Sequence, residues 1–125
     1  MTHSNVSLKS PKSYKIALKV LFNIMEEWQV NEEKQRVLLC NPATDVFERW
    51  KCGEVTSLES DVLERISYVI GIYKNLGMLF QVRTQANEWL HKQNNAFGGA
   101  SALNFMLLGQ TVNFRKVRHY LDAQL

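Results

Sequence analysis

Residues 60–80 read SDVLERISYVIGIYKNLGMLF, and this stretch decides the fold class. Leu63, Ile66, Val69, Ile70, Tyr73, Leu76 and Phe80 recur at intervals of three and four, the spacing of one wide face of an α-helix. No alternation of apolar and polar residues competes with that period, so a strand is excluded. Gly71 and Gly77 lie inside the run. Glycine costs about 1 kcal/mol against alanine in a helix interior, so two of them imply close helix packing or a kink. A helix this long and this apolar needs other helices around it.

The flanking sequence supplies them. Residues 14–28 place Ile16, Ala17, Val20, Leu21, Ile24, Met25 and Trp28 on one helical face, with Lys12, Lys15 and Lys19 opposite. The preceding residues 1–13 read as a disordered polar tail. Asn31 is placed to cap a short second helix that buries Val37 and Leu38, with Glu32 and Glu33 in its first turn. The turn CNPAT offers Asn41 as cap and Pro42 as first residue of a third helix, which turns Val46, Phe47 and Trp50 inward and stops at Gly53. Beyond residue 80, Thr84 is placed to cap a helix carrying Ala86, Trp89 and Leu90. NNAFGG then breaks the chain, Ser101 caps an apolar run over 102–108, and Gly109 closes it. Thr111 is placed to cap the last helix, where Phe114, Val117 and Leu121 form a stripe opposite Arg115, Lys116 and His119. The reading is all-α, with about seven helices and no internal repeat.

The 125 residues carry a net charge of +3, about +2 before residue 54 and about +1 after it. That balance permits nucleic-acid binding without demanding it. The N-terminus lacks the apolar core of a secretory signal, and no stretch is apolar over a bilayer's thickness, so the sequence reads as cytoplasmic. Cys40 and Cys52 form no CxxC pair and no zinc spacing with histidine, so they read as reduced, mostly buried thiols. His3, His91 and His119 fall in the tail or on polar faces, with no nucleophile or carboxylate pair in a catalytic setting. No enzyme, metal or cofactor follows. GGAS before a helix has neither the lysine nor the strand of a phosphate loop, and reads as a flexible joint. The second and third helices are short and close together, as in a helix-turn-helix. The exposed residues of the third would be Thr44, Asp45, Glu48, Arg49 and Lys51; Thr44, Arg49 and Lys51 suit DNA, whereas Asp45 and Glu48 would face phosphates unfavourably.

Five segments carry a family resemblance: VLFNIMEEWQVNEEKQRVLL from residue 20, FERWKCG from 47, LERISYVIGIYKNLGMLF from 63, ANEWLHKQNNAFGGASALNFMLLG from 86 and VRHYLDAQL from 117. In this order they resemble the Xre/MbcA/ParS-like antitoxins, over residues 16–123. The resemblance implies an Xre-type helix-turn-helix region over 14–81, continuous with a small helical toxin-binding domain over 82–125. It implies a RES-domain toxin as partner, an enzyme that consumes NAD⁺ and whose active site the antitoxin occludes, and repression of the pair's own promoter. The toxin-facing candidates it marks are Asn94, Phe97, Gly98, Gly99, Ser101, Leu103, Met106, Gly109, Arg115, Arg118, Tyr120, Leu121 and Asp122. Of these, Leu103, Met106 and Leu121 are expected in the core. The final turn, with Arg118, Asp122 and the terminal carboxylate, is expected nearest the toxin's opening. Gln93 stands where the family usually has proline, and Asp45 and Glu48 replace small polar or basic residues. A homodimer is expected, since one small helix-turn-helix seldom reads a site alone. The competing reading is a stand-alone helix-turn-helix transcriptional regulator whose C-terminal half dimerises it.

Overall fold

The structure is a computed structural model that describes residues 10–125. It is all-helical: α1 (Pro11–Glu27), α2 (Glu32–Leu38), α3 (Thr44–Lys51), α4 (Ser60–Leu79), α5 (Arg83–Trp89), a 3₁₀ turn (Asn95–Phe97), α6 (Ala102–Met106) and α7 (Thr111–Asp122). The one extended pairing among the described residues is an isolated bridge between Gln93 and Ser101. Residues 1–9 of the expected tail, with His3, lie outside the described residues.

Helix α1 starts earlier than its apolar period indicates. Ser10 is its N-cap, accepting from the Ser13 amide at 3.1 Å, and Pro11 takes the first helical position, where its missing N–H costs nothing. The buried stripe is Tyr14, Leu18, Leu21, Met25 and Trp28, with Ile24 beside it. Ile16 and Val20, expected inside, are exposed, at 56% and 37%. The core takes the strict three-and-four series from Tyr14, and Ile16 and Val20 belong to a different stripe of the same helix.

Asn31 caps α2 as expected, accepting from the Lys34 amide at 2.9 Å. The next turn differs. Cys40 and Asn41 both adopt positive φ, 71° and 53°, so Asn41 ends α2 rather than starting α3. Pro42 precedes α3 by two residues, and the N-cap is Ala43, with no side-chain cap. Neither cysteine is buried: both sit in turns at helix ends instead of on a packed face. Phe47 is fully buried while Val46 and Trp50 are half-buried, and Gly53 closes α3 at a φ of 85°. Thr84 and Thr111 do not cap either; both lie inside their helices, whose N-caps are Val82 and Gln110.

Helix α4 is the axis of the molecule. Val62, Ile66, Val69, Ile72 and Leu76 are buried along it, while Leu63, Ile70, Tyr73 and Phe80 are half-buried at its flanks. It packs against α1 on one side and most extensively against α7 on another. One core therefore runs from Leu18 and Phe47 through Ile72 and Leu76 to Leu90, Met106 and Phe114. Arg65 of α4 is buried inside it. Its guanidinium donates to the Val37 and Leu38 carbonyls at the end of α2 (3.3 Å each), to the Gly109 carbonyl (2.7 Å) and to Thr111 Oγ1 (2.9 Å). It also lies 4.9 Å from the Phe114 ring centroid. No helix among the described residues is long and apolar enough to cross a membrane.

Candidate partner-binding surface

The segment 93–101 builds a closed corner rather than an open joint. Asn94 Oδ1 accepts from the Ala96 amide at 2.9 Å, its carbonyl accepts from Gly99 at 3.1 Å, and its amide donates to Ala100 at 3.1 Å. Gly98 and Gly99 stand at φ 69° and 89°, a region cheap only for glycine. A Cβ at either would meet nothing within 4 Å. Backbone sign, and not crowding, thus requires both glycines, and the space outside them is open to another molecule's backbone.

Behind that corner Phe97 is buried at the centre of a ring cluster. Its centroid lies 5.1 Å from Phe105, 5.4 Å from Tyr120 and 6.2 Å from Trp89, and Trp89 stacks on Tyr120 at 6.1 Å. Offset and edge-on ring pairs of this kind each add about 1 kcal/mol beyond area burial. The cluster ties α5, the 3₁₀ turn, α6 and α7 into one rigid corner. Ser101 caps α6, accepting from the Asn104 amide at 3.0 Å, and the Leu103 amide donates to the Leu90 carbonyl at 3.0 Å. Trp89, Phe105 and Tyr120 remain half-buried, and Leu108, in the turn before Gly109, is 71% exposed. Leu108 escapes a reading by period because the run 102–108 is apolar at every position but Asn104; the turn after Met106 is what lifts it out.

The thirteen residues marked by resemblance are therefore spread over five places. Leu103, Met106 and Leu121 are core, as expected, and Phe97 and Ser101 are buried too. Gly98, Gly99, half-buried Asn94 and half-buried Tyr120 form the outward corner. Gly109 sits between α6 and α7 at φ 91°, its carbonyl held by Arg65. Arg118 and Asp122 belong to the seam with α4. Asp122 Oδ1 accepts from Asn75 at 2.7 Å and from Arg118 at 3.1 Å. The Asn75 hydrogen bond first, and Arg118 after it, hold this carboxyl below the usual carboxylate range. The Arg118 guanidinium lies over Gly71, occupying the place a side chain would take there. Arg115 is exposed on α7.

On α3, Thr44, Arg49 and Lys51 are exposed as expected. Arg49 pairs with Asp45 at 3.2 Å, and Lys51 pairs with Glu32 of α2 while lying 5.6 Å from the Phe47 ring centroid. Both cations offered to DNA already have a carboxylate beside them.

Residues 76–124 match the family model described as the antitoxin Xre/MbcA/ParS C-terminal toxin-binding domain. A curated relative, the uncharacterized protein y4oB of Sinorhizobium fredii (strain NBRC 101917 / NGR234), is 39% identical over 107 residues, covering 86% of this chain and 82% of the relative. No solved structure matches. The match takes in the last turn of α4, the glycine corner with its ring cluster and all of α7, and on it the chain belongs to the Xre/MbcA/ParS antitoxin family.

Proposed function

We propose that the chain is the antitoxin of a type II toxin–antitoxin pair and neutralises a RES-domain toxin that consumes NAD⁺ by covering its active site. The observation that carries this is the rigid aromatic corner within the toxin-binding domain, whose Gly98–Gly99 edge is open and whose neighbour Leu108 is exposed. Interfaces concentrate affinity in a few apolar and aromatic anchors ringed by polar groups, and this corner has that composition. Residues 82–125 then meet the toxin, while 14–81 carry the helix pair α2–α3 and act in the cytoplasm as a homodimer. Repression of the promoter belongs to the same reading and would use Thr44, Arg49 and Lys51. Asp45, Glu48 and Glu32 on the same surface favour toxin binding over operator binding as the main role. The stand-alone regulator reading has no observation of its own.

Purified chain added to the RES-domain toxin should suppress NAD⁺ consumption. Leu108→Asp, a change at an exposed site, should weaken that inhibition by roughly tenfold or more, the scale of an interface anchor, while far-UV circular dichroism stays native. Inhibition that Leu108→Asp leaves intact would move the interface elsewhere. Absence of inhibition by the native chain would contradict the function itself.

A further inference from the structure

Lys12, Lys15 and Lys19 form a row that toxin binding leaves unused. They sit three and four residues apart on one exposed face of α1, with Lys15 and Lys19 about 6 Å apart along its axis. Such a row is unfavourable to the helix that carries it. Like charges at this spacing repel, and Lys12 lies in the first turn, where the helix dipole disfavours a cation and no acid offsets it. The ion pairs among the described residues are Arg49–Asp45, Lys51–Glu32 and Arg118–Asp122, so no carboxylate of the chain neutralises the row. An anion from outside would offset that repulsion.

The row borders a cleft. Lys15 lays its stem over Gly53 at the end of α3, where a Cβ would fall 2.9 Å from its Cε. Beside it, a hollow of 260 Å³ between α1 and α3 sets Lys15, Lys19 and Lys51 around Phe22, Asn23 and Trp50, with no carboxylate lining it among the described residues. Phe22 meets Phe47 edge-on at 5.8 Å and holds the two helices together there. Glu32 offsets part of the Lys51 charge. Glu26, the next acid along the row, lies about 10 Å beyond Lys19 and accepts from Gln35 at 3.4 Å. The cationic stretch therefore runs from Lys12 to Lys19 and stops short of it. Ammonium groups in a row, with a side-chain amide and no arginine fork, suit successive phosphates better than carboxylates, which arginine grips two-pronged. The short helix pair α2–α3 alongside suits duplex DNA as the bearer of those phosphates.

We infer that the phosphate backbone of duplex DNA lies along α1, gripped by Lys12, Lys15 and Lys19, with Lys51 across the cleft. This rests on the promoter-binding part of the function proposed above and deepens it. Each cation that α3 offers has a carboxylate beside it, and α1 supplies the charge that α3 lacks. Phosphate contacts carry no sequence information, so the grip is equal on any duplex.

Fluorescence anisotropy of the full chain tests it, on a labelled duplex from upstream of its gene and on a shuffled duplex of the same length. Three neutralised phosphates give a log–log salt slope of about −2.7, a loss of about fortyfold between about 50 and 200 mM salt. Lys12→Gln, Lys15→Gln and Lys19→Gln together should flatten that slope to near zero on both duplexes, with far-UV circular dichroism native. Arg49→Ala should leave it unchanged. A slope that survives the triple change, or a loss confined to the upstream duplex, overturns the inference. So does a single strand bound more tightly than the duplex, since bases stacked on Trp50 would then hold the cleft. A triple variant that binds DNA normally and loses toxin inhibition also overturns it, giving the row to the toxin. Binding lost in Arg49→Ala and kept in the triple variant removes the inference alone. No binding by the native chain at about 50 mM salt removes promoter binding with it.

Discussion

Arg65 is a buried cation whose guanidinium is satisfied by carbonyls and a hydroxyl from the end of α2 and from the α6–α7 turn. The negative ends of helices suit it there, and the planar fork reaches several acceptors at once. Arg65→Met should lower unfolding free energy by about 3 kcal/mol in urea titration, because the carbonyls it serves are left without a donor. Nothing in the periodicity announces that role. Its acceptors come from residues 37–38 and 109–111, which only the folded chain brings together. Asp122 gives a prediction of opposite visibility, in pH. Its folded pKa lies below the unfolded value of 3.8, so it contributes stability that is fully present above that value and is lost as pH falls through the folded one. Acid titration of stability should show this loss in the native chain. The loss should shrink in Asn75→Ala, which removes the main cause of the shift, and the Asp122 share should vanish in Asp122→Asn.

At the scale of elements, Gly71 shows how the long helix and α7 accommodate each other. A Cβ there would fall 1.7 Å from the tip of Arg118, yet that tip is the end of a flexible side chain. Gly71→Ala should displace Arg118, lose an exposed ion pair worth under about 1 kcal/mol, and gain about 1 kcal/mol of helix propensity. Thermal unfolding should therefore leave its stability within about 0.5 kcal/mol of native. The close packing read from this glycine in the sequence is present, in the form of an arginine lying on the helix. Helix starts were legible at Asn31 and Ser101, where a side chain makes the cap, although the Ser10 cap of α1 falls in what reads as a polar tail. They were misplaced where Ala43, Val82 or Gln110 holds the position without one, which drew the reading to Pro42, Thr84 and Thr111 instead. Helix α1 has two apolar stripes, and one sequence cannot say which of them the core selects. Ile16 and Val20 were misassigned for that reason, and Leu18 and Tyr14 missed.

Across the whole molecule, α4 carries both the N-terminal helices and α7 on one core, so the glycine corner is anchored to the rest of the chain through the same packed helix. The glycine corner was legible as a break in the chain at Gly98 and Gly99, and its segment order carried the family. Its rigidity was not, because that comes from the Asn94 hydrogen bonds and from rings contributed by residues 89, 97, 105 and 120. Nor does sequence order separate the marked residues that face out, such as Gly99 and Tyr120, from those the core takes, such as Met106 and Leu121. The central claim is neutralisation of an NAD⁺-consuming toxin, and the most direct measurement is the NAD⁺ content of cells expressing the product of the neighbouring gene, with and without the chain. NAD⁺ should fall with the toxin alone and recover with the chain present. Depletion that the chain does not relieve, or a neighbouring gene that never lowers NAD⁺, would contradict the account.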